Sequence, residues 1–492
     1  MMPPSSRSRT SSQVLETETY RHIIRSYFEA FQTGDFSGVR FSPGIEFLSP
    51  ISGETMKGPV AVTRFVASVS TRVSHVSILA ISVDFPNASG VWQMTTTKGI
   101  TYTLNNHFNL DGEGLSFIWP MFDPKAIVSA EALEGQALMH WLRGTNYYDV
   151  EIKVNQQPAG LGISGEGRLF ITVPRWIDIP NPSVAEIMAD GNLRPYPNSA
   201  MNQWDGQAGV SASRHFVCAQ SVVACGSDLW ILDPAAPMFG AVVEGGPKLV
   251  RVDLDTDQVV ETYSFDPDIA PEGSYLNDVR LAHGKAFISD SGLGAIVVLD
   301  LKSGVARRLL SEHSSTKAEV NIYPVIEDQP WALADGSVPM VHVDGIAIDP
   351  MHTFLYYKAL RGAHLHRVPL VALMDDSLPA DAVASQVESI AQLGPTDGLE
   401  CDQSGNIYFT DLEQNAISRL TVDGRIELVA AAGDFLWPDT ITIDCHGDLL
   451  FTASQFHRMP AFHGGVDRRT GSYSIVRLKQ VAAGGAKAPV QG

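Results

Sequence analysis

The sequence predicts a mainly β protein, in which a six-bladed β-propeller follows a small α+β domain. One short motif recurs six times in the C-terminal two thirds of the chain. Each copy contains two runs of alternating apolar residues around a tight turn, which is the pattern of a β-hairpin. Further strand-like runs lie between the copies, so each repeat has about four strands, as in a propeller blade.

The clearest copy of the motif is residues 395–411, PTDGLECDQSGNIYFTD. The other copies, named by their first residue, begin at Gly160, Ser221, Asp278, Asp344 and Asp439. The spacing between the later copies shortens along the chain while the motif persists, which is typical of repeats whose loops vary in length. Six copies therefore predict six blades, over residues 145–480.

Residues 14–125 predict a separate α+β domain. Apolar residues at helical spacing predict one helix over residues 20–31, closed by Gly34, and a second helix after Gly58-Pro59. The period then changes to two and predicts an antiparallel meander of four strands, at residues 76–83, 90–96, 100–109 and 114–122. We expect a linker at residues 126–144 and disordered tails at residues 1–13 and 481–492.

Composition narrows the possible partners. The chain has 492 residues, of which 44% are hydrophobic and 18% charged, and these values are typical of a globular protein with more than one domain. The net charge is -20 and basic residues cluster only at Arg7 to Arg9, so we expect no nucleic-acid partner. No segment approaches the roughly 18 consecutive apolar residues of a membrane span, and we expect a cytoplasmic protein without a membrane partner. Four scattered cysteines predict free thiols: Cys218, Cys225, Cys401 and Cys445.

The repeat also predicts a site. In a propeller the first strands of all blades meet at one end of the central channel, so residues at equivalent repeat positions become neighbours. These residues are Asn277, Asp278, Asp344, Asp397 and Asp439. The carboxylates would repel one another unless a divalent cation, a cationic ligand or bound protons neutralised them. Alternatively, an Asp before a Gly caps a turn by accepting backbone N–H bonds.

Other side chains are predicted to lie around this ring. We expect His342 to act with the carboxyl groups in acid–base chemistry. Aromatic residues near the blade starts would wall a pocket for a flat or apolar ligand. The predicted catalytic residues are Asp344, Asp397, Asp439 and His342. The predicted ligand-binding residues are Gln220, Asn277, Asp278, Tyr323, Trp331, Trp437 and His457.

Six segments in order resemble the yellow/major royal jelly protein family: GEGRLFITVPRW, LRPYPN, SDLWILD, YLNDVRL, VDGIAID and WPDTITID. The resemblance implies a six-bladed propeller that binds small amines or tautomerises quinonoid compounds. More distantly, the same motifs resemble gluconolactonase and senescence-marker propellers. That likeness implies one divalent metal, Ca²⁺, Zn²⁺ or Mn²⁺, held by Asn277, Asp344, Asp397 and Asp439. The chain departs from that pattern in offering only Gln220 where those enzymes have a Glu ligand.

The N-terminal domain resembles the SnoaL-like, ketosteroid-isomerase-type family, which is nuclear transport factor 2-like in fold. The likeness rests on YFEAFQTGDF, SPGIEFLSP, GPVAVTRFV and HFNLDGEGLSFIWPMFDP. It implies an α+β cone that pairs into a homodimer. Glu46, Asp84 and His107 are candidates for a proton-transfer group inside the cone.

Three functions remain open on the sequence. The first is a cofactor-independent isomerase, tautomerase or cyclase acting on a small aromatic, quinonoid or unsaturated secondary metabolite. The second is a metal-dependent lactonase or related hydrolase, and the third is a small-ligand-binding protein without turnover. The chain has no GxSxG, GxxxxGK[ST], HExxH or GxGxxG motif, so serine hydrolase, nucleotide-driven and dinucleotide redox chemistry have no support.

Overall fold

The computed structural model describes residues 11–48, 55–70, 73–97, 101–121, 148–177, 182–207, 210–327, 329–431, 435–479 and 481. The chain divides into two compact units, Met1–Thr145 and Asn146–Gly492. Across these described ranges, no helix is both long enough and apolar enough to cross a membrane. The predicted linker and residues 482–492 lie outside the described residues.

The described residues of the N-terminal unit form two helices and one six-stranded sheet. The helices are α1 (Ser11–Thr33) and α2 (Pro59–Ser70). The strands are β1 (Phe41–Leu48), β2 (Thr55–Lys57), β3 (Val73–Asp84), β4 (Asn87–Thr96), β5 (Thr101–Leu110) and β6 (Leu115–Met121). Their order in the sheet is β2-β1-β6-β5-β4-β3, with β1 and β6 parallel. The predicted helices and meander are confirmed, whereas β1 and β2 were not predicted and the disordered tail is wrong for residues 11–13.

Aromatic side chains fill the space between α1 and the sheet. Helical spacing places Tyr27, Phe28 and Phe31 on the buried face of α1. The ring centroid of Phe28 lies 4.9 Å from that of Trp92, and the ring centroid of Tyr27 lies 5.6 Å from that of Phe108. The interior of this unit is therefore an aromatic core.

The three candidate proton-transfer residues of this unit do not face that core. Glu46 forms an ion pair with Lys57 at 2.7 Å, Asp84 is exposed, and His107 is hydrogen-bonded to Asn109 at 3.1 Å. In each of their strands the neighbouring residues are the buried ones. The prediction is wrong because side chains alternate between the two faces of a strand.

The part of the C-terminal unit that the structure describes contains six four-stranded antiparallel sheets. The first comprises β8 (Leu161–Ile163), β9 (Leu169–Thr172), β10 (Val184–Ile187) and β11 (Leu193–Pro195). The second comprises β12 (Ser221–Cys225), β13 (Asp228–Asp233), β14 (Lys248–Asp253) and β15 (Gln258–Ser264). The third comprises β16 (Leu276–Ala282), β17 (Lys285–Asp290), β18 (Ala295–Asp300) and β19 (Ala306–Leu309). The fourth comprises β22 (Val343–Ile348), β23 (Phe354–Ala359), β24 (His364–Pro369) and β25 (Glu388–Gln392). The fifth comprises β26 (Leu399–Cys401), β27 (Ile407–Asp411), β28 (Ala416–Leu420) and β29 (Ile426–Ala431). The sixth comprises β30 (Pro438–Ile443), β31 (Leu449–Ala453), β32 (Tyr473–Leu478) and β7 (Tyr148–Val154).

The first strands of the six sheets form a closed ring. Strand β8 contacts β12, the contacts continue through β16, β22, β26 and β30, and β30 returns to contact β8. This is the arrangement of a β-propeller, and the prediction of a mainly β fold is confirmed. Buried apolar residues form one cluster between each pair of neighbouring sheets, which is what holds the ring together.

Strand β7 closes the ring. It precedes the first sheet in the chain but pairs antiparallel with β32, near the other end of the chain. The pairing joins the two ends of the unit by backbone hydrogen bonds. The sequence motif did not predict this strand, because β7 stands apart from the repeated hairpins.

Shorter elements lie in the connections. A small hairpin, β20 (Val325–Ile326) and β21 (Gln329–Pro330), lies between the third and fourth sheets. Two short helices, α3 (Leu370–Met374) and α4 (Ala380–Ala384), lie between β24 and β25. All four cysteines are free thiols, as predicted.

Candidate functional site

Irregularities in the first strands set the predicted site residues apart from the ladder. The pairing register shifts between Leu276 and Val279 in β16, between Val343 and Ile346 in β22, and between Pro438 and Ile441 in β30. The residues inside these shifts include Asn277, Asp344 and Asp439. A bulge of this kind bends the strand and re-aims its side chains, so the site residues turn towards the channel end.

The glycine of the Asp-Gly repeat allows neighbouring first strands to approach closely. A Cβ atom on Gly345 would lie 2.1 Å from the backbone oxygen of Asp397. A Cβ atom on Gly398 would lie 2.2 Å from the backbone oxygen of Asp439. No other residue fits there without a backbone shift, which explains why the motif contains glycine at these positions.

Hydroxyl groups on the second strands connect one sheet to the next. Ser289 Oγ accepts a hydrogen bond from the backbone N–H of Asp278 at 3.0 Å and donates to the backbone oxygen of Asp344 at 2.6 Å. Thr410 Oγ1 accepts from the backbone N–H of Asp397 at 2.9 Å. These residues were not predicted, although a Ser or Thr recurs in the second strand of several copies of the motif.

In the fourth sheet a lysine occupies the equivalent position. Lys358 comes directly before Ala359, the residue that pairs with the first residue of β22. In the third sheet, Ser289 likewise comes directly before the residue that pairs with the first residue of β16. The Lys358 side chain is fully buried, and Nζ donates to the backbone oxygens of Ala359 and Gly362. Burial lowers the pKa of Lys358 to about 7, and the negative charges of nearby carboxyl groups oppose this shift.

A cavity of about 430 Å³ lies beside these residues, a volume that suits a small-molecule ligand. Its lining includes seven of the predicted site residues: Gln220, Asn277, Trp331, Asp344, Asp397, Trp437 and Asp439. It also includes aromatic residues for which no role was predicted: Trp176, Phe239, Tyr275, Phe456 and Phe462. Trp176 and Tyr275 belong to the quoted motifs GEGRLFITVPRW and YLNDVRL, which was the available signal.

A chain of hydrogen bonds crosses the polar lining. Trp176 Nε1 donates to Tyr275 Oη at 2.9 Å, and Tyr275 Oη donates to Gln220 Oε1 at 2.8 Å. Gln220 Nε2 donates to Asn277 Oδ1 at 3.3 Å, and Asn277 Nδ2 donates to Asp344 Oδ2 at 2.9 Å. Every donor in the chain points towards Asp344, so the chain fixes the position of that carboxyl group.

Asp344 and Asp397 form a pair of carboxyl groups that are hydrogen-bonded to each other. Burial, and then repulsion by Asp397 and Asp439, raise the pKa of Asp344 well above its usual range. Burial raises the pKa of Asp397 to about 6, against the opposing effect of the Trp437 Nε1–H, which donates to Asp397 Oδ2 at 2.7 Å. Of the two carboxyl groups, Asp344 therefore holds a proton more strongly than Asp397.

Asp439 is a third carboxyl group in the cavity lining. Its side chain is almost fully buried, with 4% of the residue exposed. Burial, and then repulsion by Asp397, raise the pKa of Asp439 well above its usual range, although hydrogen bonds from Ser454 and Thr440 oppose the shift. These effects favour the neutral form of Asp439, and they reduce the negative charge that the three carboxyl groups place in the cavity.

The side chains of two predicted site residues form contacts elsewhere and do not line the cavity. Asp278 forms an ion pair with Arg280 at 2.7 Å and accepts a hydrogen bond from Ser221 Oγ at 2.9 Å. His342 Nδ1 accepts the backbone N–H of Ala318 at 2.9 Å, and burial lowers the pKa of His342. The structure thus separates His342 from the carboxyl pair, because its ring anchors the connection that precedes the fourth sheet.

Tyr323 and His457 also lie outside the cavity lining. Tyr323 is 64% exposed, and the guanidinium of Arg361 lies 5.5 Å from its ring centroid. His457 Nε2 is hydrogen-bonded to Glu327 Oε2 at 2.6 Å, and its ring stacks on Trp437 at 5.9 Å. Contact with Trp437 gives His457 an indirect connection to the site, behind the cavity wall.

The predicted metal ligands do not fit a divalent cation. Among the described residues, no group of three or more His, Cys, Asp or Glu side chains is arranged to hold a metal. Asn277 presents its NH₂ group to Asp344, whereas a metal requires an oxygen. The Asp397 carboxylate is already bonded to Asp344 and to Trp437.

The fold and the site together define a β-propeller protein with an aromatic cavity and a buried carboxyl pair. Residues 219–480 match the model of the major royal jelly protein family, which is more than half of the chain. The chain therefore belongs to the major royal jelly protein family. Residues 15–147 match a domain of unknown function, DUF4904. A search of curated proteins finds no match to the chain.

The solved structures that match the chain have low sequence identity and low TM-scores. Regucalcin from Agrobacterium tumefaciens, described as a calcium-binding protein, is 15% identical, with 68% of this chain and 95% of that chain covered and a TM-score of 0.42. Virginiamycin B lyase from Staphylococcus aureus is 14% identical, with 62% and 80% covered and a TM-score of 0.36. A putative gluconolactonase is 14% identical, with 70% and 94% covered and a TM-score of 0.41.

Proposed function

We propose that the protein is a cofactor-independent isomerase, tautomerase or cyclase that moves protons on a small unsaturated metabolite. The observation that carries the proposal is the hydrogen-bonded pair of Asp344 and Asp397 in the cavity lining. A buried acid beside a half-buried base, with a base pKa of about 6, suits general acid–base catalysis near neutral pH.

The reaction conserves protons within the pair. The Asp397 carboxylate accepts a proton from a C–H or O–H group of the substrate. The Asp344 carboxyl group donates its proton to a second atom of the same substrate. The hydrogen bond between the two residues then returns the proton from Asp397 to Asp344, so the pair ends in its starting state.

The cavity favours a flat and uncharged substrate. Of the described residues that line it, none is Lys, Arg or His, so a carboxylate or phosphate group would find no counter-charge. Aromatic rings make up much of the apolar lining and provide faces against which a ring can stack. A substrate of one or two fused rings is consistent with the volume of about 430 Å³.

Deuterium exchange tests the proposal. The probe is 2-indanone, a flat uncharged ketone with mobile α-protons, dissolved in D₂O and followed by proton NMR. We expect the wild-type protein to accelerate exchange and Asp397→Asn to lose at least about 100-fold of that acceleration. Asp423→Asn is the matched control, because Asp423 is exposed and pairs with Arg425 away from the cavity lining. Equal exchange in wild type and Asp397→Asn would refute the proposal.

Binding of the same probe and a separate lactone assay distinguish the two alternative functions, ligand binding without turnover and metal-dependent hydrolysis. Binding of the probe without exchange indicates a small-ligand-binding protein. Hydrolysis of a lactone that requires added Ca²⁺, Zn²⁺ or Mn²⁺ and stops with a chelator indicates a metal-dependent lactonase.

We also propose that the six sheets are six propeller blades and that the N-terminal unit is a SnoaL-like domain. Two helices against one sheet support the second assignment. In this proposal the protein is cytoplasmic and dimerises through the N-terminal unit. Light scattering of the full chain in solution measures its mass, and a monomer at all concentrations would contradict the dimer.

A further inference from the structure

Four bulky apolar side chains lie at the mouth of the cavity. They are Met238, Phe239, Leu333 and Met340, which line the cavity and are 57%, 51%, 36% and 42% exposed. A side chain that lines a cavity and also reaches solvent lies where the cavity opens. Single exposed apolar residues are ordinary, but a group of four around one opening indicates a binding surface. We call these four residues the rim.

The charged groups of the cavity lie elsewhere in its lining. Of the described residues that line it, those with ionisable acidic or basic side chains are the three aspartates and Tyr275. Asp344 and Asp439 are buried and Asp397 is half-buried, whereas every rim residue is exposed. The cavity therefore has polar groups inside and an apolar opening. A hydrocarbon group that lay on the rim would remove apolar surface of both the ligand and the protein from water.

Two neighbouring rim residues have a left-handed backbone. The φ angle is 57° at Met238 and 54° at Phe239, a region that bulky residues rarely adopt. The backbone N–H of Met238 donates to the backbone oxygen of Arg175 at 2.7 Å and helps to hold this conformation. Strain that the surrounding structure maintains is concentrated at sites that contact ligands. The ring of Phe239 stacks on that of Trp176, with centroids 6.1 Å apart, and so connects the rim to the inner aromatic lining.

A membrane surface suits the rim less well than a ligand of the cavity. The net charge of -20 opposes approach to anionic lipid headgroups. The rim is also continuous with the cavity, because all four of its residues belong to the lining. A molecule held in the cavity is therefore the occupant that can reach the rim without a second binding event.

We infer that the rim binds an apolar substituent of the substrate, so that the substrate is an uncharged, unsaturated ring compound that carries a hydrocarbon group of several carbons. This inference rests on the proposed function for the choice of this cavity as the substrate site. It concerns binding, and it is tested by binding.

The experiment compares two ligands in three proteins. The dissociation constants of 2-indanone and 5-butyl-2-indanone are measured by calorimetry for the wild type, for the double variant Met238→Gln/Met340→Gln and for Met351→Gln. Glutamine has nearly the length of methionine but a polar end, so the substitutions change the polarity of the rim more than its shape. Met351→Gln is the matched control, because Met351 is 80% exposed and is not part of the cavity lining.

The expected preference follows from the area that the butyl group buries. Complete burial of one methylene group strengthens binding about fourfold, and the rim covers only one side of the butyl group. We therefore expect the wild type and Met351→Gln to bind 5-butyl-2-indanone about 10-fold more tightly than 2-indanone, and the double variant to show a preference of about threefold or less. Equal affinities of the wild type for the two ligands would overturn the inference, and so would an unchanged preference in the double variant.

A second measurement needs no change at the rim. In the wild type labelled with ¹³C at the methionine methyl groups, the Met238 and Met340 signals are expected to move more with 5-butyl-2-indanone than with 2-indanone. The Met351 signal is expected to stay in place with both. An equal response of Met238 and Met340 to both ligands would overturn the inference even if the double variant failed to fold.

Co-sedimentation with phosphatidylcholine vesicles tests the other occupant. We expect the wild type to remain in the supernatant. Sedimentation of the wild type that the double variant loses, without a preference for the butyl compound, would assign the rim to a membrane and overturn the inference.

The outcomes separate the inference from the proposed function. A preference for the butyl compound that depends on the rim, without deuterium exchange, would retain the rim as a binding site and refute acid–base catalysis by Asp397. Exchange that depends on Asp397, without any preference for the butyl compound, would retain catalysis and refute the role of the rim.

Discussion

Ionisation of Asp397 is expected to change activity and stability in opposite directions. Burial raises the pKa of Asp397 from its ordinary value of 3.8 to about 6 in the folded protein. Between these two values, the unfolded chain releases the proton while the folded chain retains it. The free energy of unfolding therefore falls as the pH rises through this window. Activity rises over the same window, because only the carboxylate form of Asp397 accepts a proton.

The size of the stability change follows from the pKa difference. A shift of about two units corresponds to about 3 kcal/mol. Because Asp397 is partly exposed, solvent screening reduces the expected contribution to about 2 kcal/mol. Replacement by Asn removes this contribution, so Asp397→Asn is expected to be more stable than the wild type by about 2 kcal/mol at neutral pH and equally stable near pH 4.

Urea unfolding followed by tryptophan fluorescence gives the stability of both proteins, and exchange of 2-indanone gives the activity, from about pH 4 to about pH 8. Subtracting the variant from the wild type removes the contributions of other titrating groups that the substitution leaves unchanged. The reasoning is refuted if this difference is independent of pH, or if wild-type activity falls as the pH rises through about 6.

Three further changes test the supporting structure. Gly345→Ala is expected to destabilise the protein by more than about 2 kcal/mol, because the new Cβ would meet a backbone oxygen of the next sheet. Gly165→Ala is the control and is expected to change the free energy of unfolding little, because the space around Gly165 is open. Urea unfolding midpoints of the two variants test this difference. Lys358→Thr is expected to stabilise the protein at neutral pH. The difference in the free energy of unfolding between the variant and the wild type is expected to disappear as the pH rises towards the ordinary lysine pKa of about 10.4. A difference that grew with pH would contradict the burial of an unpaired ammonium. Glu327→Gln is expected to increase the dissociation rate of 2-indanone several-fold, as measured by stopped-flow fluorescence. The reason is that Glu327 connects the segment bearing the β20–β21 hairpin to His457 behind the cavity wall. An unchanged dissociation rate would show that this contact does not restrain the wall.

Much of the fold could be predicted from local patterns. Alternation of apolar residues identified the hairpins, and the spacing of the copies identified the repeat. The repeat register also predicted that Asp344, Asp397 and Asp439 would lie near one another, and all three line one cavity. The role of the glycines after Asp344 and Asp397 was not predicted, because the close approach of neighbouring first strands involves the backbone of the adjacent sheet.

Other parts of the site could not be predicted. His342 is close to Asp344 in the sequence, yet its ring is taken by the backbone N–H of Ala318. Phe239 and Phe456 come from loops that carry no repeat signal, and they meet Trp176 only in the folded protein. Side chains on long connections have no fixed register, so their direction depends on what they pack against.

The sequence by itself determined the repeated β-hairpins and the residue types at their starts, because strand period and turn chemistry are local properties of the chain. Only the tertiary structure decided which carboxyl groups are hydrogen-bonded to each other, which of them have raised pKa values, and which aromatic rings surround them. A pKa depends on burial and on neighbouring charges, and both arise from residues that are distant in the sequence and adjacent only after folding.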